Sequence, residues 1–152
     1  MAASRKRTKT MRRIKGYPDN FYPILLFVVL AVLVSGLLLI PAMLEFKLDI
    51  LIDWQLPRDL RVPVLFLHAA TGWIISMLIG ALWQAHMRNN WRRAKHRLTG
   101  TVNAITFLLL GASALGLYYA GSIETQVSSA IVHTLCGLLL IPIFTLHGLL
   151  RR

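Results

Sequence analysis

Four of the five histidines in this 152-residue chain fall in pairs, each pair standing at the two ends of one apolar segment. His68 and His86 bracket one such segment, and His133 and His147 bracket another. An ionisable side chain is costly inside a bilayer, and where one occurs it has a partner or marks a pathway. Imidazole is also the commonest metal ligand among side chains, and two histidines from facing helices form one of the standard haem ligand sets. Paired imidazoles at both ends of two helices are what is needed to clamp two haems, so His68, His133, His86 and His147 are the candidate iron ligands.

Such ligands need helices to carry them, and the composition supplies four candidates. The chain is 56% hydrophobic with a mean hydropathy of +0.60, and its apolar residues gather into four stretches. Each is about 20 residues or longer, the length of a bilayer-crossing helix. They run over about 21–44, 62–87, 98–121 and 127–150, behind a basic arm over 1–20. The expected fold is all-α: one integral membrane domain, a four-helix up-down bundle. The first stretch is too long for a signal peptide and lacks a small-x-small cleavage site, so it reads as an anchor. Cys136 is the only cysteine, which excludes an internal disulfide and leaves a small apolar helix residue.

The net charge of +11 raises the question of nucleic acid, but its distribution answers it. The N-terminal arm, the loop between the second and third spans and the C-terminus hold 14 of the 17 Lys and Arg, with one acidic residue. The other two connections hold three basic and five acidic residues. Charge arranged this way reports topology, and the positive-inside rule places both termini in the cytoplasm, in a bacterial inner membrane. The expected surroundings are membrane lipid and other subunits of a redox complex or a periplasmic electron carrier, not nucleic acid.

That topology makes the second and fourth spans parallel and diagonally opposed across the bundle. His68 and His133 are each the seventh residue of their spans, roughly 9–10 Å below the outer helix ends. Two imidazoles at one level on diagonal helices suit bis-histidine ligation at the bundle axis. His133 and His147, 14 residues apart, lie about 21 Å apart along the helix and within about 40° of one face. His68 and His86, 18 apart, are separated by about 27 Å, so the inner pair is mismatched in depth by about 6 Å. Helix tilt, a kink at Pro142 or a shifted helix end would absorb that difference, and His96 is the alternative inner ligand.

Haem also needs a flat slot. Small residues gather near the outer pair: Gly72 with Ala69 and Ala70, then Gly111-Ala112-Ser113-Ala114-Leu115-Gly116, then Ser128, Ser129 and Ala130. Ordinary close helix packing explains small residues equally well. In the basic loop, Arg88 and Arg92, with Arg93, Lys95 and Arg97, are placed to neutralise propionates.

The stretch His68-Ala-Ala-Thr-Gly72, continuing to His86-Met-Arg-Asn-Asn-Trp91, resembles the second helix of small bacterial four-helix membrane proteins related to di-haem b-type cytochromes. These include a domain family of unknown function similar to the gamma subunits of formate dehydrogenases and nickel–iron hydrogenases. The 14-residue His133–His147 interval is also similar to the ligand spacing in the last helix of those subunits. The resemblance spans about 60% of the chain, from the second span to the fourth. It implies haem b held by His68 with His133, and His147 on a second haem. One departure stands out: those gamma subunits take an inner ligand from their first helix, and the first span here has no histidine.

Between the first two spans, Glu45, Asp49 and Asp53 recur every four residues among apolar ones, the pattern of a short amphipathic surface helix. No protease, P-loop, nucleophile-elbow or dinucleotide fingerprint is present. The expectation is an electron-transfer subunit rather than a stand-alone enzyme, working between quinone and a partner subunit. A haem-free structural or assembly subunit of a respiratory complex is the competing class. A proton conductor is disfavoured because no intramembrane carboxylate joins the histidines.

Overall fold

A computed structural model describes residues 16–83, 87–92 and 97–150, and every regular element among them is a helix. The helices are α1 (Phe21–Leu48), α2 (Arg58–Leu82), the short α3 (Arg88–Arg92), α4 (Arg97–Tyr119) and α5 (Ile123–Leu150). Four of them, all but α3, are long and apolar enough to cross a membrane. Pro41, Pro63 and Pro142 all lie inside helices, and α5 continues through Pro142 as one element.

Side-chain pairs set the topology. Moving back along α4 from Gly116 to Ser113 to Thr99, the partners on α5 move forward from Ser129 to His133 to His147. That is antiparallel pairing. On the other side Ser35 meets His68, while Tyr17, just before α1, donates to the Ala81 carbonyl at 2.7 Å, so α1 and α2 are antiparallel too. Lys47, near the end of α1, donates to Gln126 near the start of α5 at 2.7 Å. The two hairpins therefore join antiparallel along α1 and α5, which leaves α2 and α5 parallel.

An apolar layer of Leu25, Val28, Val29 and Ile75, extended by Phe107 and Phe144, draws on all four long helices. It lies toward the N-terminal half of α1. Around the outside, large apolar side chains such as Phe27, Phe66, Trp73 and Leu108 are each at least 70% exposed, the reverse of a water-soluble surface.

The connection between α1 and α2 differs from the sequence expectation. No amphipathic surface helix forms there: α1 runs on to Leu48 and takes Glu45 with it, and 49–57 is irregular. Asp49 adopts a left-handed conformation (φ 53°), one of the few non-glycine residue types that does so readily, and it stops the helix. The acidic periodicity is thus cut after its first member. Pro57 then opens α2 four residues earlier than expected, because its fixed φ suits a helix start. Arg61 organises the connection, donating to the Leu56 carbonyl at 3.0 Å and to Gln55, and lying 3.8 Å from the Glu45 carboxylate. Its guanidinium also sits 5.6 Å over the Phe46 ring. The last connection is only three residues, where the Ser122 hydroxyl accepts from the Thr125 N–H at 3.2 Å as an N-cap of α5.

Candidate metal centre

His68 is the eleventh residue of α2 and His133 the eleventh of α5, so the equal depth read from the sequence holds although the helix starts moved. The two parallel helices bring the rings together, with centroids 6.1 Å apart and planes at 80°. Each ring is anchored through the same atom. His68 Nδ1 lies 3.1 Å from both the Val32 carbonyl and the Ser35 hydroxyl of α1. His133 Nδ1 lies 3.1 Å from the Leu110 carbonyl and 3.2 Å from the Ser113 hydroxyl of α4.

These contacts fix the protons. A carbonyl oxygen has no hydrogen to give, so each Nδ1 must be the donor, and in a neutral ring Nε2 then carries the lone pair. The serines are committed as well: Ser35 donates to the Ala31 carbonyl at 2.6 Å and Ser113 to the Leu109 carbonyl at 2.6 Å. Each hydroxyl oxygen therefore accepts from its histidine. Among the described residues, no hydrogen bond is made by Nε2 of either ring.

The spacing suits one metal between the rings. Two metal–nitrogen bonds of about 2 Å, with about 1 Å from each nitrogen to its ring centre, separate ligated imidazole centres by about 6 Å. No group of three or more His, Cys, Asp or Glu side chains able to hold a metal occurs among the described residues. A structural zinc site requires four such ligands, whereas haem would ask the protein for only one or two. The donor set fits haem.

The glycines divide into two groups. A Cβ on Gly36 would stand 3.0 Å from His68 Cε1, so the ring lies against bare α1 backbone. One on Gly116 would overlap the Ser129 hydroxyl, so Gly116 and Ser129 serve close α4–α5 packing, and Ala130 beside them is fully buried. Gly72 shares the His68 face of α2, and a methyl group there would meet no heavy atom within 4 Å. Gly111 is exposed and lies on the opposite face of α4 from Ser113.

At the other end of α5, His147 Nδ1 lies 2.9 Å from the Thr99 hydroxyl, and Gly100 approaches the ring at 3.9 Å from its would-be Cβ. His86, Arg93, Lys95 and His96 fall outside the described residues. Arg88 and Arg92 mark the two ends of α3 and are exposed; Arg97 instead folds back, donating to the Trp91 carbonyl and lying over its ring.

Sequence reasoning passed over Ser35, Gly36 and Thr99, and counted Ser113 only as a small residue. The available signal was a hydroxyl followed by a small residue, as Ser35-Gly36, Ser113-Ala114 and Thr99-Gly100, on the helix preceding each histidine helix. Ser and Thr commonly bond their own helix backbone, which hides that signal. Comparison with family models, with curated proteins and with solved structures finds no match.

Proposed function

We propose that this chain is a multi-pass membrane cytochrome of the b type, with both termini on the cytoplasmic side of a bacterial inner membrane. The observation that carries the reading is the His68–His133 pair: rings 6.1 Å apart, each held through Nδ1. His68 and His133 would hold one haem b, and His147 would serve a second with His86 or His96. When bound, haem supplies reversible one-electron redox chemistry that no side chain here offers. The chain's own residues do the rest. Val32 and Leu110 carbonyls orient the two rings, and Gly36 lets His68 lie close to α1. The apolar layer around Leu25, Ile75 and Phe144 packs the bundle interior about two turns along α2 from His68. Arg88 and Arg92, on the basic side, are placed to meet propionates of an inner haem.

Four membrane-length helices and the concentration of 14 of 17 basic residues on one side support the topology. Electrons would pass between quinone and a partner subunit or a periplasmic carrier. A reduced-minus-oxidised visible spectrum of protein expressed with ample haem tests the reading. A b-type band that falls by one haem in both His68→Ala and His133→Ala is the expected result. Its absence from the wild type overturns the proposal and leaves the haem-free structural subunit.

A further inference from the structure

The two outer histidines are held by copies of one device. On α1 a serine hydroxyl and the carbonyl three residues before it, Ser35 and Val32, receive His68 Nδ1–H. On α4 the same two groups at the same offset, Ser113 and Leu110, receive His133 Nδ1–H. Both serines are buried, at 1% and 6% exposure, and both turn their own hydrogens back onto their helix. Serine in a helix ordinarily needs nothing more than that back-bond. Here the oxygen is placed, in each hairpin, at the level of the histidine on the antiparallel partner.

We infer that Ser35 and Ser113 are positioning residues that set the donor strength of His68 and His133 as metal ligands. The inference rests on the cytochrome reading. A ring N–H shared between two oxygen acceptors is more strongly polarised than one given to a single carbonyl. Polarising Nδ1–H pushes electron density into the ring and makes Nε2 a better ligand, which favours the more highly charged state of a bound metal. Removing either hydroxyl oxygen therefore raises the midpoint potential of the haem these histidines hold. Because the carbonyl acceptors remain, the tautomer and the ligation survive.

Redox titration of haem-loaded Ser35→Ala, Ser113→Ala and the double variant tests this, with Ser35→Thr and Ser113→Thr as conservative versions. Each serine-to-alanine change removes one buried atom and leaves the packing volume nearly intact. The expected result is a higher midpoint in each single variant, a further rise in the double, and wild-type values in the threonine variants. Thr99→Val, on the other histidine, is expected to leave the midpoint of this haem unmoved. Nitrogen-15 spectra of histidine-labelled protein without haem give an independent readout, with the Nδ1–H tautomer expected for both residues. Haem uptake with midpoints unmoved by the serine changes, or the Nε2–H tautomer in the free protein, overturns the inference while leaving the cytochrome reading standing. Failure of the wild type to take up haem overturns both.

Discussion

Gly36→Ala isolates the contact that seats His68. The added Cβ would lie 3.0 Å from Cε1 and 3.4 Å from Nδ1 of the ring, against an optimum of about 3.5–4.0 Å for carbon. The ring must retreat by roughly 0.5–1 Å to relieve this. Its Nδ1 is tied at 3.1 Å to Val32 and Ser35 on the very helix that pushes, so retreat stretches those bonds. Overpacking of this kind costs about 1–3 kcal/mol. Without a ligand the ring is free to change rotamer, but a ligating ring is not, so the cost falls on haem binding. At 1.4 kcal/mol per factor of ten, binding weakens by about 5- to 150-fold. Helix propensity acts the other way on the fold, since alanine exceeds glycine by about 0.8–1.0 kcal/mol in a helix interior. The comparator is Gly100→Ala, whose Cβ meets His147 Cε1 at an ordinary 3.9 Å. Haem titration followed at the Soret band, alongside thermal melting of the haem-free protein, separates binding from folding. Gly36→Ala is expected to lose affinity without losing fold stability, and Gly100→Ala to lose neither. Unchanged affinity in Gly36→Ala refutes the reasoning, because a ring pressed against that glycine could not then be a ligand.

Gly116→Ala, which drives a methyl group onto the Ser129 hydroxyl, is expected to destabilise the α4–α5 hairpin by about 1–3 kcal/mol, with recovery in Gly116→Ala, Ser129→Gly measured by thermal melting. Asn103 Oδ1 is buried without a hydrogen-bond partner among the described residues, although Nδ2 donates to the Thr99 carbonyl at 3.1 Å. An unsatisfied buried acceptor costs about 1–3 kcal/mol against about 1 kcal/mol gained from the one bond, so Asn103→Leu is expected to raise the melting temperature by about 2–4 °C. Leu51, 83% exposed in the α1–α2 connection, reports topology: Leu51→Cys in a Cys136→Ala background is expected to react with an impermeant maleimide in intact spheroplasts. Reaction only after permeabilisation would reverse the assigned orientation.

Helix number and the depth of the histidines were legible because both depend on spacing alone. Apolar runs fix where bilayer-length helices fall, and His68 and His133 keep equal offsets from their helix starts whether those starts are taken at 62 and 127 or at 58 and 123. What the sequence could not carry was set by single backbone conformations and by partners distant in the chain. The amphipathic pattern through Glu45, Asp49 and Asp53 is a real periodicity, yet one left-handed residue, Asp49, ends the helix inside it. Ser35 and His68 are 33 residues apart, and the Ser35-Gly36 pair alone does not separate Ser35 from a serine bonding only its own helix. Small residues were ambiguous for a related reason: Gly116 packs against Ser129, Gly36 seats a histidine, and Gly72 touches neither, and only the neighbouring helix separates these roles.

A structural brace and a cytochrome make different demands on the same two imidazoles. A histidine that braces helices gains most by bonding through both nitrogens, one to each element it joins. Here each ring spends Nδ1 inside its own hairpin, His68 on α1 and His133 on α4, so neither hydrogen bond links one hairpin to the other. The hairpins meet at this level through rings whose centroids lie 6.1 Å apart, and two lone-pair nitrogens add nothing to bracing. The arrangement leaves two open acceptors at one level, since neither Nε2 makes a hydrogen bond among the described residues. Ligation to a shared metal would use both nitrogens and join α2 to α5 across the diagonal. The two readings therefore separate in stability as well as in colour. Free haem at 100 times its dissociation constant is expected to stabilise the chain by about 2.7 kcal/mol, and His133→Ala to abolish that gain. A brace would melt at the same temperature with haem or without it.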